Sequence, residues 1–226
     1  GAAGTFDGFV RNNVIGTSGV SLSCSTQANG IYIDKRGNGT QNSSVTGNTV
    51  RQCFDRAILT EAGDGSGVLN LTVQSNTLDQ QVDAGAREAI QTNFGITSTN
   101  VFGVQDAPAV CLQLGGAGGL GNTFSNGGGA PDDFRLRKRF GATVRLPGYA
   151  GGTDQTAGSL AQVVAFIEGQ NTDTPPNSAS ASGSGGGYTG GAACTLPTFA
   201  PAGQEEISNI FDVYGNESLS GTDLMA

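Results

Sequence analysis

Asp34, Asp55, Glu61 and Asp64 each sit beside a short apolar run in the first third of the chain. Paired carboxylates are the tools of glycosidic-bond cleavage. One protonates the leaving oxygen while the other acts as base or nucleophile, and the two must stand roughly 5–10 Å apart across the sugar bond. Asp34 and Glu61 follow runs of the same kind, Gly30-Ile31-Tyr32-Ile33 and Ala57-Ile58-Leu59-Thr60. A fold that stacks those runs places both carboxylates on one face. Asp34, Asp55 and Glu61 therefore form the candidate acidic face. The simpler reading of each is a solvated turn carboxylate, and the expectation is a chain without a catalytic residue.

Other chemistries are limited by what the chain lacks. With no histidine in 226 residues, it builds no histidine triad, no His metal site and no imidazole acid–base pair. Cys24, Cys53, Cys111 and Cys194 form no CxxC, so a zinc site has neither spacing nor partner. Gly115-Gly116-Ala117-Gly118-Gly119 lacks the aspartate of a calcium-binding glycine-rich repeat. No metal and no cofactor is expected. An even cysteine count in a chain rich in Gly, Asn, Ser and Thr suits an oxidising compartment, and a secreted or cell-surface location is expected. Four cysteines allow three pairings. The net charge of −8 disfavours a nucleic-acid partner, whose binders neutralise phosphates with clustered cations. No apolar run reaches the ~18 residues of a membrane span. Arg135, Arg137, Lys138, Arg139 and Arg145 hold five of the eleven cations. They read either as a patch for an anionic glycan or partner, or as the solvent face of an alternating strand; the second reading is preferred.

The elements that must position these residues announce themselves as repeats. Glycine contributes 38 of 226 residues and charged residues only 13%, against ordinary shares of about 7% and 25%. A phrase of Asn, a β-branched or small residue and an apolar residue opens at Asn13, Asn48, Asn76, Asn100 and Asn122, at spacings of 35, 28, 24 and 22. Between the copies lies a second family of short strands, the two runs above plus Glu88-Ala89-Ile90-Gln91 and Ala109-Val110-Cys111-Leu112. Two interleaved strand families returning every ~20–35 residues describe a winding chain with several faces. Each turn lies about 4.8 Å from the last, apolar residues stack into ladders, and an inward Asn at a corner bonds the next Asn, as in cross-β stacks. The spacing predicts an all-β chain, a right-handed parallel β-helix over 1–126, its hand following the crossover preference of parallel strands.

Past Gly127-Gly128-Gly129-Ala130-Pro131 the texture changes. Residues 127–171 read as a C-terminal cap. It holds two alternating strands, Phe134 to Phe140 and Ala142 to Leu146, forming a hairpin around Gly141 or continuing the outer sheet, then one helix. Leu160, Val163, Val164 and Ile167 fall at i, i+3, i+4 and i+7, which predicts that helix over about Thr156 to Gln170. Residues 172–226 read as a Ser/Gly-rich arm, linker-like to residue 193, followed by an acidic tail with one apolar stretch, Ile207 to Tyr214. Gly1 is not a start methionine and no signal-peptide pattern opens the chain, so the sequence reads as a mature or excised piece.

The repeat resembles the parallel β-helix superfamily, the pectate-lyase-like fold of polysaccharide-active enzymes, phage tailspikes and bacterial adhesin passengers. The segment with Arg137-Lys138-Arg139-Phe140, Val144-Arg145-Leu146-Pro147-Gly148-Tyr149, Val164-Ala165-Phe166 and a late cysteine after a Gly/Thr stretch also resembles one that follows β-helices in large bacterial surface proteins. The resemblance implies a Cys111–Cys194 pair, which leaves Cys24 with Cys53. It also implies a structural or adhesive role at the cell surface, with a glycan or host-surface ligand; and because each open end of a β-helix is a template for another strand, self-association through the helix ends and C-terminal tail is expected. The alternative it implies is a polysaccharide-binding or polysaccharide-cleaving β-helix. Asn171-Thr172-Asp173 and Asp132-Asp133 resemble polygalacturonase steps. Their order is reversed, though, and that family's Gly-His-Gly step cannot exist here.

Overall fold

The computed structural model describes residues 4–79, 87–96, 105–125, 133–173, 179–184 and 186–198. Their strands lie in three parallel sheets. The first holds β1 (Thr5–Arg11), β4 (Thr40–Thr46), β7 (Val68–Gln74), β10 (Ala109–Leu114), β13 (Thr143–Arg145) and β16 (Tyr188–Thr189). The second holds β2 (Val14–Ile15), β5 (Thr49–Arg51), β8 (Thr77–Asp79), β11 (Thr123–Phe124) and β14 (Thr172–Asp173). The third holds β3 (Ile31–Arg36), β6 (Ile58–Gly63), β9 (Ile90–Phe94), β12 (Phe134–Lys138) and β15 (Ser180–Ser182). The chain visits the sheets in that order and returns to the first one strand further along. Five passes are complete and β16 opens a sixth. Stacked parallel sheets visited in rotation are compatible with a parallel β-helix.

Register is fixed by stacking like on like. Successive side chains on a strand point to opposite faces, so each inward position becomes a column. Val10, Val45, Val73 and Leu114 form one in the first sheet. Ile15, Val50, Leu78 and Phe124 form one in the second. Ile31, Ile58, Ile90 and Phe134 form one in the third. Val45, Val50, Ile58, Val73 and Leu78 are fully buried, each worth about 1.5–3 kcal/mol relative to exposure. A one-residue slip of any strand would turn its whole apolar set outward.

The corner before the second sheet is held by amides. Asn13 donates through its backbone N and Nδ2 to Asn48 Oδ1, at 3.0 and 2.9 Å. Asn48 does the same to Asn76, Asn76 to Asn122, and Asn122 to Asn171. Each Nδ2 of Asn48, Asn76 and Asn122 also reaches back to a carbonyl of the first sheet, Val10, Val45 and Val73 respectively. Every buried polar atom of a rung thus finds a partner, which lets Asn48, Asn76 and Asn122 sit at 0–1% exposure. Gly47 precedes Asn48 at φ +68, and a Cβ there would meet Asn12 Oδ1 at 2.5 Å. Asn100 lies outside the described residues. The next rung after Asn122 is Asn171, whose Nδ2 also donates to Ile167 O, so the ladder ends by satisfying a carbonyl in the last turn of a helix.

That helix, α1 (Ala157–Glu168), matches the sequence expectation and buries Ser159, Val163 and Ile167. Thr156 caps it by accepting from Ser159 N, and it packs against β15. Two expectations do not hold. Phe134–Lys138 and Thr143–Arg145 form no hairpin, and it is the alternative, continuation of the sheets, that holds: β12 joins β9 in the third sheet, β13 joins β10 in the first, and all these pairings are parallel. The alternation does mark two strands, but the turn around Gly141 is the corner between sheets rather than a reversal. The Ser/Gly-rich stretch is no free arm either, because β14, β15 and β16 within it each pair with the preceding pass. Small residues there meet the need for close approach, and Gly190 lies against Tyr149 O with no room for a Cβ. Residues 199–226 lie outside the described residues.

Candidate functional site

The outward face of the third sheet gathers most of the singled-out charges. Asp34 on β3 is paired in register with Glu61 on β6, and Glu61 with Asn93 on β9. Asn93 in turn faces Arg137 on β12. One column therefore runs from carboxylates through an amide to a guanidinium. Arg36 lies between Asp34 at 2.6 Å, Glu61 at 3.0 Å and Asp64 at 3.3 Å. Glu61 also accepts from Tyr32 Oη at 2.6 Å and from Asn93 Nδ2 at 2.8 Å. Partial burial, and then the bond to Glu61, push the Tyr32 phenol up to about 12.

Asp55 does not join this pair. It precedes β6, at the opposite end of the strand from Glu61, and is bridged to Arg56 and to Arg87. Arg56 is buried beside Glu88, at 3.4 Å, and donates to Gln91 Oε1. Glu88 also accepts from Arg135 at 3.0 Å. The acidic face is thus two ion-paired clusters, and in both the carboxylates are met by arginine. Nothing in the sequence marked Glu88 beyond its place in the second strand family, and nothing marked Asn93, which follows that run.

The basic cluster separates as well. Arg135 and Arg137 point outward from β12, and Arg139 follows just beyond it. Lys138 points inward: it is 2% exposed, donates to the carbonyls of Ser184 and Gly186 at 2.9 and 2.8 Å, and burial pushes its ammonium down. It is no part of a surface patch, and the alternation of β12 is the reason. Lys35, in the same inward column, behaves alike, donating to the carbonyls of Arg36 and Gly37. Arg145 belongs to the first sheet and donates to Ala192 O.

The outward face of the first sheet carries a second amide ladder. Asn70 Nδ2 donates to Asn42 Oδ1 at 2.8 Å, and Asn42 Nδ2 to Asp7 Oδ1 at 2.7 Å. Over it runs the end of the described chain. Cys194 is bonded to Cys111, in the same column, and Thr198 Oγ1 donates to Asp7 Oδ2 at 2.6 Å. Bonds from Thr198 and then Asn42 hold the Asp7 carboxyl below its usual range. From β10 to β1 is three strand spacings, about 14 Å, which four extended residues span. Residues 194–198 therefore form a strap across β7 and β4, and Asn42 and Asn70 are 6 and 8% exposed beneath it. The other disulfide, Cys24–Cys53, staples the first pass to the second. Both pairings are those the resemblance implies.

Among the described residues no group of three His, Cys, Asp or Glu is placed to hold a metal ion, and no helix is long and apolar enough to cross a membrane. Comparison with protein families, characterised proteins and solved structures finds no match for this chain.

Proposed function

We propose that the chain is a secreted or cell-surface β-helix protein with a structural or adhesive, non-catalytic role, wound right-handed as parallel crossovers prefer and related to the pectate-lyase-like superfamily. The observation that carries this is the state of Glu61. It accepts from Tyr32, Arg36 and Asn93, so the best-placed carboxylate holds adjacent passes together instead of facing a cleft. Two amide ladders, two disulfides and a strap tie successive passes into one rod, which suits a protein that presents a rigid surface. Self-association through the rod's end is part of the reading. Among the described residues Asn13 Oδ1 accepts no bond in the ladder, and the strap brings Thr198 to Asp7 of the first pass.

The alternative, a polysaccharide-binding or polysaccharide-cleaving β-helix, is favoured by one observation: Tyr32 stands 48% exposed beside Asp34 and Glu61, an aromatic surface next to acids. Incubation with acidic and neutral polysaccharides, followed by reducing-end and unsaturated-product assays, separates the readings. The structural role predicts no product, and product lost in Glu61→Gln would overturn it. Light scattering over a concentration series tests self-association, which a concentration-independent monomer contradicts.

A further inference from the structure

Arginines in this chain are generally engaged. Arg36 has three carboxylates, Arg56 two, Arg87 and Arg135 one each, and Arg145 a carbonyl. Arg51 has the field of Asp79, and Arg11 lies over the Phe9 ring at 5.6 Å. Arg137 and Arg139 stand apart because they neighbour each other at one end of the third sheet's outward face. Among the described residues neither guanidinium meets a carboxylate; Arg139 only lies over the Phe140 ring, at 5.8 Å, and its buried Nε has no acceptor. Burial, and then the like charges of Arg139 and Arg135, push Arg137 down. Glu88 offsets the charge of Arg137 only in part, so in a chain of net charge −8 this corner keeps a local positive field that an anion from outside can meet.

We propose that Arg135, Arg137 and Arg139 form a strip along β12 that binds the sulfate or carboxylate groups of an extended acidic polysaccharide. Alternate residues on a strand are about 6.6 Å apart, so the three span about 13 Å in a line. That is too long for one oxyanion and suits a linear polymer bearing anions at intervals. The direction of the strip selects sparse charge. Off β12, along the column, lie Asn93 and then Glu61 and Asp34, so a polymer lying along the strand meets three cations and, at the Arg135 end, the largely buried Glu88, whereas one lying along the column meets exposed carboxylates. A nucleic acid carries a phosphate at every nucleotide and needs many more cations than three. Arg137 is the centre of the strip, and Arg135, already held by Glu88, its fixed end.

The inference rests on the adhesive reading and names its ligand, and binding is measured separately from cleavage. The full chain is titrated with heparin, polygalacturonate, neutral dextran and single-stranded DNA of similar length. The expected result is salt-sensitive binding to at least one of the two acidic polysaccharides, none to dextran, and at least tenfold weakening in Arg137→Gln/Arg139→Gln, with Arg137→Lys intermediate and Arg11→Gln unchanged. A thermal melt shows that the double variant is folded. Equal binding by the double variant, no binding to either acidic polysaccharide, or equal or tighter binding to DNA would each overturn the assignment. Cleavage of a bound polymer would instead overturn the non-catalytic role and leave the strip standing.

Discussion

The outward faces of the first and third sheets are built on the same rung spacing and use it in opposite ways. On the first, Asp7, Asn42, Asn70 and Cys111 follow one another in a column, nearly all neutral, bonded rung to rung and covered by the strap. On the third, the matching column reads Asp34, Glu61, Asn93 and Arg137. An amide column can be buried because each side chain is both donor and acceptor for the next. A charged column cannot, because like charges one rung apart repel and each needs a partner of its own. Stacking alone therefore does not decide a face's role. Amides let it be sealed, and charges keep it available.

The comparison breaks most severely if the strap is freed. Cys111→Ser/Cys194→Ser removes a link between residues 83 apart, for which loop closure gives about 4–5 kcal/mol. A large drop in melting temperature is expected, with faster amide exchange on β4 and β7. An unchanged melt would mean the strap is incidental. Next come the two ladders. Asn76→Ala leaves buried donors and acceptors without partners on both sides and is expected to cost about 3 kcal/mol or more by urea unfolding. Asn70→Ala, which ends one amide-to-amide bond, should cost about 1–2 kcal/mol, and the reverse order would refute the distinction between them.

Alkaline titration sharpens the third face. The Tyr32 phenol is raised from 10.0 to about 12. The folded state therefore holds that proton more tightly than the unfolded chain, and the resulting stability is complete below pH 10 and lost as pH rises through about 12. Phenolate absorbance should show a component titrating at about 12 that is lost in Tyr32→Phe, while Tyr149 and the buried Tyr188, whose phenols burial also pushes up, still titrate late. The smallest effect is expected from Arg36→Gln, whose partners lie in a solvent-exposed network, at under about 1 kcal/mol in a thermal melt.

Much of this arrangement was legible because the inward ladder repeats a residue with a distinctive shape. Asn13, Asn48, Asn76 and Asn122 share both a type and a following β-branched or apolar pair, so their stacking could be read directly. The outward ladder left the same trace. Asp7 to Asn42 spans 35 residues and Asn42 to Asn70 spans 28, the separations of Asn13 to Asn48 and Asn48 to Asn76. Asn42 and Asn70, however, also open Asn-x-Ser/Thr sequences, and no apolar phrase marked them as one column. Asn171 escaped because α1 intervenes between β13 and the second sheet, so no spacing pointed to it. The hairpin expectation failed because alternation reports a strand but not its partner. The charges of the third face were visible one by one, yet their pairing depends on register across passes, which the carboxylates themselves do not encode.

Register is also where the account is most exposed. Val14, Thr49, Thr77, Thr123 and Thr172 form an outward column in the second sheet, and Val14 and Thr172 are its exposed ends. Spin labels at Val14→Cys and Thr172→Cys, in a chain whose native cysteines are paired, measure its height by dipolar spectroscopy. Four strand spacings predict a narrow distribution near 19 Å. A broad distribution, or one centred well beyond 30 Å, would contradict the stacked passes on which both faces depend.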